Sequence, residues 1–86
     1  MARQEKLLAR FRRHPADFTW DELVRLLRSF GYEAKSKGRT SGSRVRFART
    51  GHPPINLHRP HPDAILRRYQ LRQVEEFLIA EGLLES

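Results

Sequence analysis

Ser43-Arg44-Val45-Arg46-Phe47-Ala48, then Thr50-Gly51-His52-Pro53, then Pro54-Ile55-Asn56-Leu57-His58 form the stretch that decides how this 86-residue chain folds. Val45 and Phe47 alternate with Arg44 and Arg46. Ile55 and Leu57 alternate with Asn56 and His58. A period of two is the signature of strands with one apolar and one polar face. The reading predicts strands over 43–48 and 54–58, joined by a turn over 50–53. Upstream, Tyr32 to Lys37 reads as a further strand, and Gly38-Arg39-Thr40-Ser41-Gly42 as the loop leading out of it. Three strands joined by short turns make an antiparallel meander.

Helical periods flank the meander. Trp20, Leu23, Val24, Leu27 and Phe30 recur at spacings of three and four. Thr19 precedes them as N-cap, with Glu22 three residues on, the pattern of a capping box. Asp21 and Glu22 favour the positive helix start, and Gly31 is suited to the left-handed stop. An earlier helix over 3–13 is predicted from Leu7, Leu8 and Phe11, ended by His14-Pro15. A last helix follows Pro62. Asp63 is its expected cap, 67–82 its well-formed part, Leu71, Val74, Phe77 and Leu78 its apolar face, and Gly82 its stop. The order is helix, helix, three strands, helix, an α+β class.

The charge is not spread evenly. From residue 34 to residue 62 no acid occurs, while Lys35, Lys37, Arg39, Arg44, Arg46, Arg49 and Arg59 do, with His52, His58 and His61. Outside that window ten Lys and Arg balance ten Asp and Glu, so the whole formal charge of +7 lies in one segment. Such a concentration attracts a polyanion, with nucleic acid the first expectation. If the helices bury their stripes against Val45, Phe47, Ile55 and Leu57, the opposite sheet face is left open and carries Arg44, Arg46, Asn56 and His58. A one-residue slip would reverse the faces and wet the apolar one.

Composition removes other classes. Eighty-six residues make one small domain, expected to span 1–86, too short for a dinucleotide-binding unit plus a second domain. With no Cys there is no disulfide, thiolate metal site or Cys nucleophile. No apolar run approaches the roughly 20 residues that span a bilayer. The N-terminus has no apolar stretch of the secretory kind. The expectation is a soluble, cytoplasmic, basic domain.

Gly42-Ser43-Arg44-Val45-Arg46-Phe47 followed by His58-Arg59-Pro60-His61-Pro62 resembles the HicA family of toxins. So does the Trp20-Asp21-Glu22-Leu23 helix that runs to Phe30-Gly31-Tyr32. The resemblance covers roughly 18–82 and leaves the first helix, within 1–14, as an N-terminal extension. It implies a double-stranded-RNA-binding-like α-β-β-β-α fold. It also implies the toxin of a type II toxin–antitoxin pair, an mRNA-cleaving endoribonuclease that a HicB-type antitoxin neutralises.

One position departs from the family. Such toxins usually carry Gly-Ser-His or Gly-Gly-His at the second strand, and that His is catalytic. Arg44 stands there in this chain. Arginine stays protonated and cannot act as a base, but it can stabilise charge on a phosphorane. A His takes or gives a proton near neutral pH. His58, on the same expected face as Arg44, is therefore the first candidate for proton transfer and His61 the second. Arg44, His58 and His61 make up the expected catalytic set. Lys35, Lys37, Arg39, Gly42, Ser43, Arg46, Arg49, Asn56 and Arg59 make up the expected RNA-binding set. His52 is placed in the turn, and His14 is read as structural. Two histidines at His58-x-x-His61 fall short of a zinc site, so no metal or other cofactor is expected. Trp20 and Tyr32 are read as core, whereas Tyr69 fits either core or surface. Leu7, Leu8 and Phe11 have two readings, packing within the chain or a homodimer interface. A non-catalytic RNA-binding or protein-partner module of the same fold is the alternative function, favoured by Arg44.

Overall fold

The computed structural model describes residues 2–35, 44–60 and 63–85. The elements are α1 (Ala2–Arg12), α2 (Trp20–Ser29), β1 (Glu33–Lys35), β2 (Arg44–Arg49), β3 (His52–His58) and α3 (Arg68–Ala80). The strands form one antiparallel sheet in the order β1-β2-β3. The helix, helix, three-strand, helix order and the α+β class are as the sequence predicts.

Strand parity sets the two faces of the sheet. Ala34, Phe47 and Ile55 lie in one row across the three strands, and Val45 faces Leu57. Phe47, Ile55 and Leu57 are buried and Val45 half-buried. They meet Trp20, Leu23, Leu26 and Leu27 of α2 and Leu71, Val74 and Leu78 of α3 in one core. Trp20 stacks at a tilt on Phe47, with ring centroids 5.6 Å apart. Burying a side chain of Phe47's size stabilises by about 1.5–3 kcal/mol relative to leaving it in water.

The capping box of α2 forms in full. The Glu22 N–H donates to Thr19 Oγ1 at 3.1 Å, and the Thr19 N–H donates to Glu22 Oε1 at 2.9 Å. Gly31 closes the helix at φ +87°, a conformation that glycine adopts without a Cβ penalty. Gly82 does the same beyond α3 at φ +76°.

α1 is part of the core. Phe11 is fully buried and lies 5.8 Å from Phe18, ring to ring, while Leu7 and Leu8 pack half-buried against the same cluster. The three apolar residues of α1 thus pack within the chain, with Leu7 and Leu8 keeping part of their surface open. Ion pairs secure the helix on both sides. Arg10 reaches Glu22 and Asp17, each at 3.1 Å. Arg12 pairs with Glu75 of α3 at 2.9 Å, and the His14 ring bonds the same carboxylate.

Three boundaries differ from the sequence reading. First, β3 begins at His52 and the turn shrinks to Thr50-Gly51, with Gly51 at φ +87°. The ladder passes from Phe47↔Ile55 to Arg49↔His52, so Pro53 and Pro54 together oppose Ala48 in a bulge. Prolines lack an N–H for the ladder, and an edge strand with a bulge is where a sheet tolerates them. Second, Asp63 does not cap α3, because Arg67 occupies the N-cap position. The chain before it pairs instead with the entry to α2. The Trp20 N–H donates to Ala64 O at 2.9 Å and the Leu66 N–H to Phe18 O at 2.8 Å. Third, the strand expected from Tyr32 to Lys37 is described only as Glu33–Lys35, and residues 36 and 37 lie outside the described residues.

Candidate nucleic-acid interface

The outward parity of the same strands builds the site. Lys35, Arg46 and Asn56 form a row across β1, β2 and β3, and Arg44 lies directly opposite His58. All five are exposed. Directly opposed side chains on one face have Cβ atoms about 4.5–5.5 Å apart. A guanidinium and an imidazole at that spacing are close enough to contact one small anionic group together.

Among the described residues, Arg44 and Arg46 have no ion-pair partner. Lys35 has one acid near it, Glu33 at 3.6 Å, with both side chains more than half exposed. Such an exposed pair is weak and gives way readily to a stronger anion. Arg59 is exposed just beyond β3. The end of β3 is held by α3, since the buried Gln70 donates from Nε2 to the His58 carbonyl at 3.3 Å. The His58 backbone is therefore fixed while its side chain faces out. The same contact brings the first turn of α3 alongside. That turn has no acid and carries the exposed Arg67, Arg68 and Tyr69, the last 56% exposed. Sequence reasoning passed over Arg67 and Arg68 because they fall outside the acid-free window. The signal available was the Arg-Arg pair at a helix start with no acid in its first turn.

Other expected residues fall elsewhere. Arg49 turns from the row and donates from Nη1 to the Phe30 carbonyl at 2.9 Å, satisfying the C-terminal end of α2. His52 is in β3 rather than in a turn, and its Nδ1 pairs with Glu81 Oε1 at 2.9 Å. Tyr32 completes this end of the molecule by donating its hydroxyl to Pro53 O at 3.0 Å. Burial pushes the Tyr32 phenol up, with the Glu81 charge adding and Arg49 opposing. Lys37, Arg39, Gly42, Ser43 and His61 lie outside the described residues. Among the described residues no group of three His, Asp or Glu is placed to hold a metal ion, and no helix is long and apolar enough to cross a membrane.

Electrostatics separates the two layers. Burial raises the Glu22 carboxyl, but hydrogen bonds from Arg10 and the Thr19 backbone, with the Arg10 charge, more than offset it and hold the group below the usual carboxylate range. The Arg10 guanidinium is raised in turn, first by its bond to Glu22. The helical side thus neutralises several of its cations internally, whereas the sheet face presents them to solvent.

Comparison with curated proteins and with solved structures yields no match. A family model does match, that of the HicA toxin of bacterial toxin–antitoxin pairs, over residues 20–81. It takes in α2, the whole sheet and α3, and it leaves α1 outside. With nearly three-quarters of its length in that match, the chain belongs to the HicA toxin family.

Proposed function

We propose that this protein is the toxin of a type II toxin–antitoxin pair that binds mRNA on the open sheet face and cuts it without a metal. The observation that carries the reading is the row Lys35–Arg46–Asn56 beside the opposed pair Arg44 and His58, all exposed on one face. Lys35, Arg46 and Arg59 hold phosphates as charges and forks, and Asn56 adds a donor and an acceptor. Arg44 takes the position where the family usually carries histidine. It supplies charge stabilisation to the phosphorane and no proton transfer. His58, across the ladder, takes the 2′-hydroxyl proton or protonates the leaving oxygen, and His61 serves the complementary step. Lys37, Arg39, Gly42 and Ser43, which precede Arg44 in the sequence, add further contacts to the RNA backbone. Arg49, bonded to the Phe30 carbonyl, contributes positive potential from the end of β2.

The order of elements from α2 to α3 supports a double-stranded-RNA-binding-like arrangement for the family core. A HicB-type antitoxin neutralises the toxin by covering the basic face in competition with RNA. Arg44 favours a second reading, in which the domain keeps RNA or partner affinity and does not cut.

Incubation of the protein with a long unstructured RNA in EDTA separates the two. Cleavage that His58→Ala abolishes, and that Arg44→Ala slows by about 10²–10³-fold as for loss of one charge-stabilising donor, supports the nuclease. RNA left intact by wild type, with binding that weakens as salt rises, sinks cleavage and leaves the binding module.

A further inference from the structure

A second basic surface lies between α1 and α2. The two helices enclose an open groove of about 570 Å³, with Lys6, Leu7 and Arg10 on one wall and Glu22, Arg25 and Arg28 on the other. It shares no residue with the sheet face. One of its walls belongs to α1, which the family match does not include.

The cations of the groove differ in their commitments. Arg10 is spent on Glu22 and Asp17. Lys6, Arg25 and Arg28 are exposed and have no ion-pair partner among the described residues. Arg25 and Arg28 are three residues apart on one helical face, so their guanidiniums line the same edge. Among the described residues the one acid in the groove, Glu22, is already held by Arg10 and the Thr19 cap. Between the charged edges the lining is mostly apolar, formed by Leu7 and the aliphatic stems of the long side chains.

That combination selects among anions. A phosphate gains nothing from an apolar floor, and among the described residues no aromatic ring lines the groove for a base to stack on. A peptide with acidic side chains flanking an aliphatic one satisfies both the edges and the floor. We infer that the α1–α2 groove docks an acidic peptide segment of a partner protein, with one aliphatic side chain seated on Leu7. The inference is independent of whether the sheet face cuts RNA.

The test uses the full chain and a short labelled peptide alternating glutamate with leucine, read by fluorescence anisotropy and by amide NMR shifts. The expected result is shifts confined to α1 and α2, and affinity lowered about tenfold or more by Arg25→Glu with Arg28→Glu. Lys6→Glu lowers it in the same direction, and Arg44→Ala with Arg46→Ala leaves it unchanged. All of these side chains are exposed, and circular dichroism confirms that each variant is folded. Three results overturn the inference. They are failure of the peptide to bind, equal binding of a polyglutamate peptide without leucine, and α1–α2 shifts produced by an oligoribonucleotide instead.

Discussion

The cations that hold this molecule together and the cations of its open face are chemically alike and differ in what surrounds them. Arg10, Arg12 and Arg49 each end on a carboxylate or a carbonyl, and the rings of His14 and His52 each meet a glutamate. Arg44, Arg46 and the His58 ring end in solvent, with no side-chain partner among the described residues. β2 contains both kinds within six residues, with Arg49 turned to the end of α2 and Arg44 and Arg46 turned outward. Net charge alone therefore does not mark a binding site. A cation is available to a ligand when the fold gives it nothing else to do.

Several substitutions sharpen or break that contrast. The largest effect on stability lies under the sheet. Phe47→Ala is expected to cost about 3–5 kcal/mol, whereas Arg44→Ala on the other face of β2 changes stability by no more than about 0.5 kcal/mol. Denaturant midpoints of the two variants check this, and equal losses would dissolve the distinction between the faces. For RNA affinity the order inverts. Arg44→Ala with Arg46→Ala is expected to weaken binding of a single-stranded RNA about tenfold or more at low salt, since each charged hydrogen bond contributes roughly 1.5–3 kcal/mol. Arg49→Ala is the discriminating case, because its charge lies in the acid-free window while its side chain serves α2. We expect a stability loss of about 1–2 kcal/mol from the unsatisfied Phe30 carbonyl, and a smaller effect on RNA affinity than either outward arginine gives.

The smallest effect concerns the α2 cap. Glu22 has a folded-state pKa below its unfolded value, so its contribution is complete above about pH 4.3 and is lost as the pH falls through the folded value. Glu22→Gln should flatten that part of the acid unfolding profile. Thr19→Ala should cost about 1 kcal/mol at neutral pH.

The parity of β2 and β3 was legible because one buried face dictates it, and so was the α2 cap, whose pattern is local. The start of β3 was not, because Pro53 and Pro54 argue for a turn unless β3 is known to be an edge. The role of Asp63 was misread for a related reason. The pairing of Phe18 to Trp20 with Ala64 to Leu66 is a contact between distant segments, and no local pattern announces it. The shared face of Arg44 and His58 followed from alternation, whereas their direct opposition depended on a register that the bulge at Pro53 and Pro54 of β3 helps to set. Alternation also puts Arg49 on the face of Val45 and Phe47, but its bond to the Phe30 carbonyl joins distant segments that no local pattern announces. The share of positive charge that is free could not be counted from sequence, since that requires knowing which carboxylates each arginine reaches.

The most direct measurement is the salt dependence of single-stranded RNA binding, compared between wild type, Arg44→Ala with Arg46→Ala, and Arg25→Glu with Arg28→Glu. Counterion release makes the slope of log K against log salt shrink by roughly 0.7 for each phosphate contact removed from a single strand. If the open sheet face is the RNA site, the sheet variant loses about two such contacts of slope and the helical variant keeps the wild-type slope. An unchanged slope in the sheet variant, with the loss appearing in the helical one, would contradict the account.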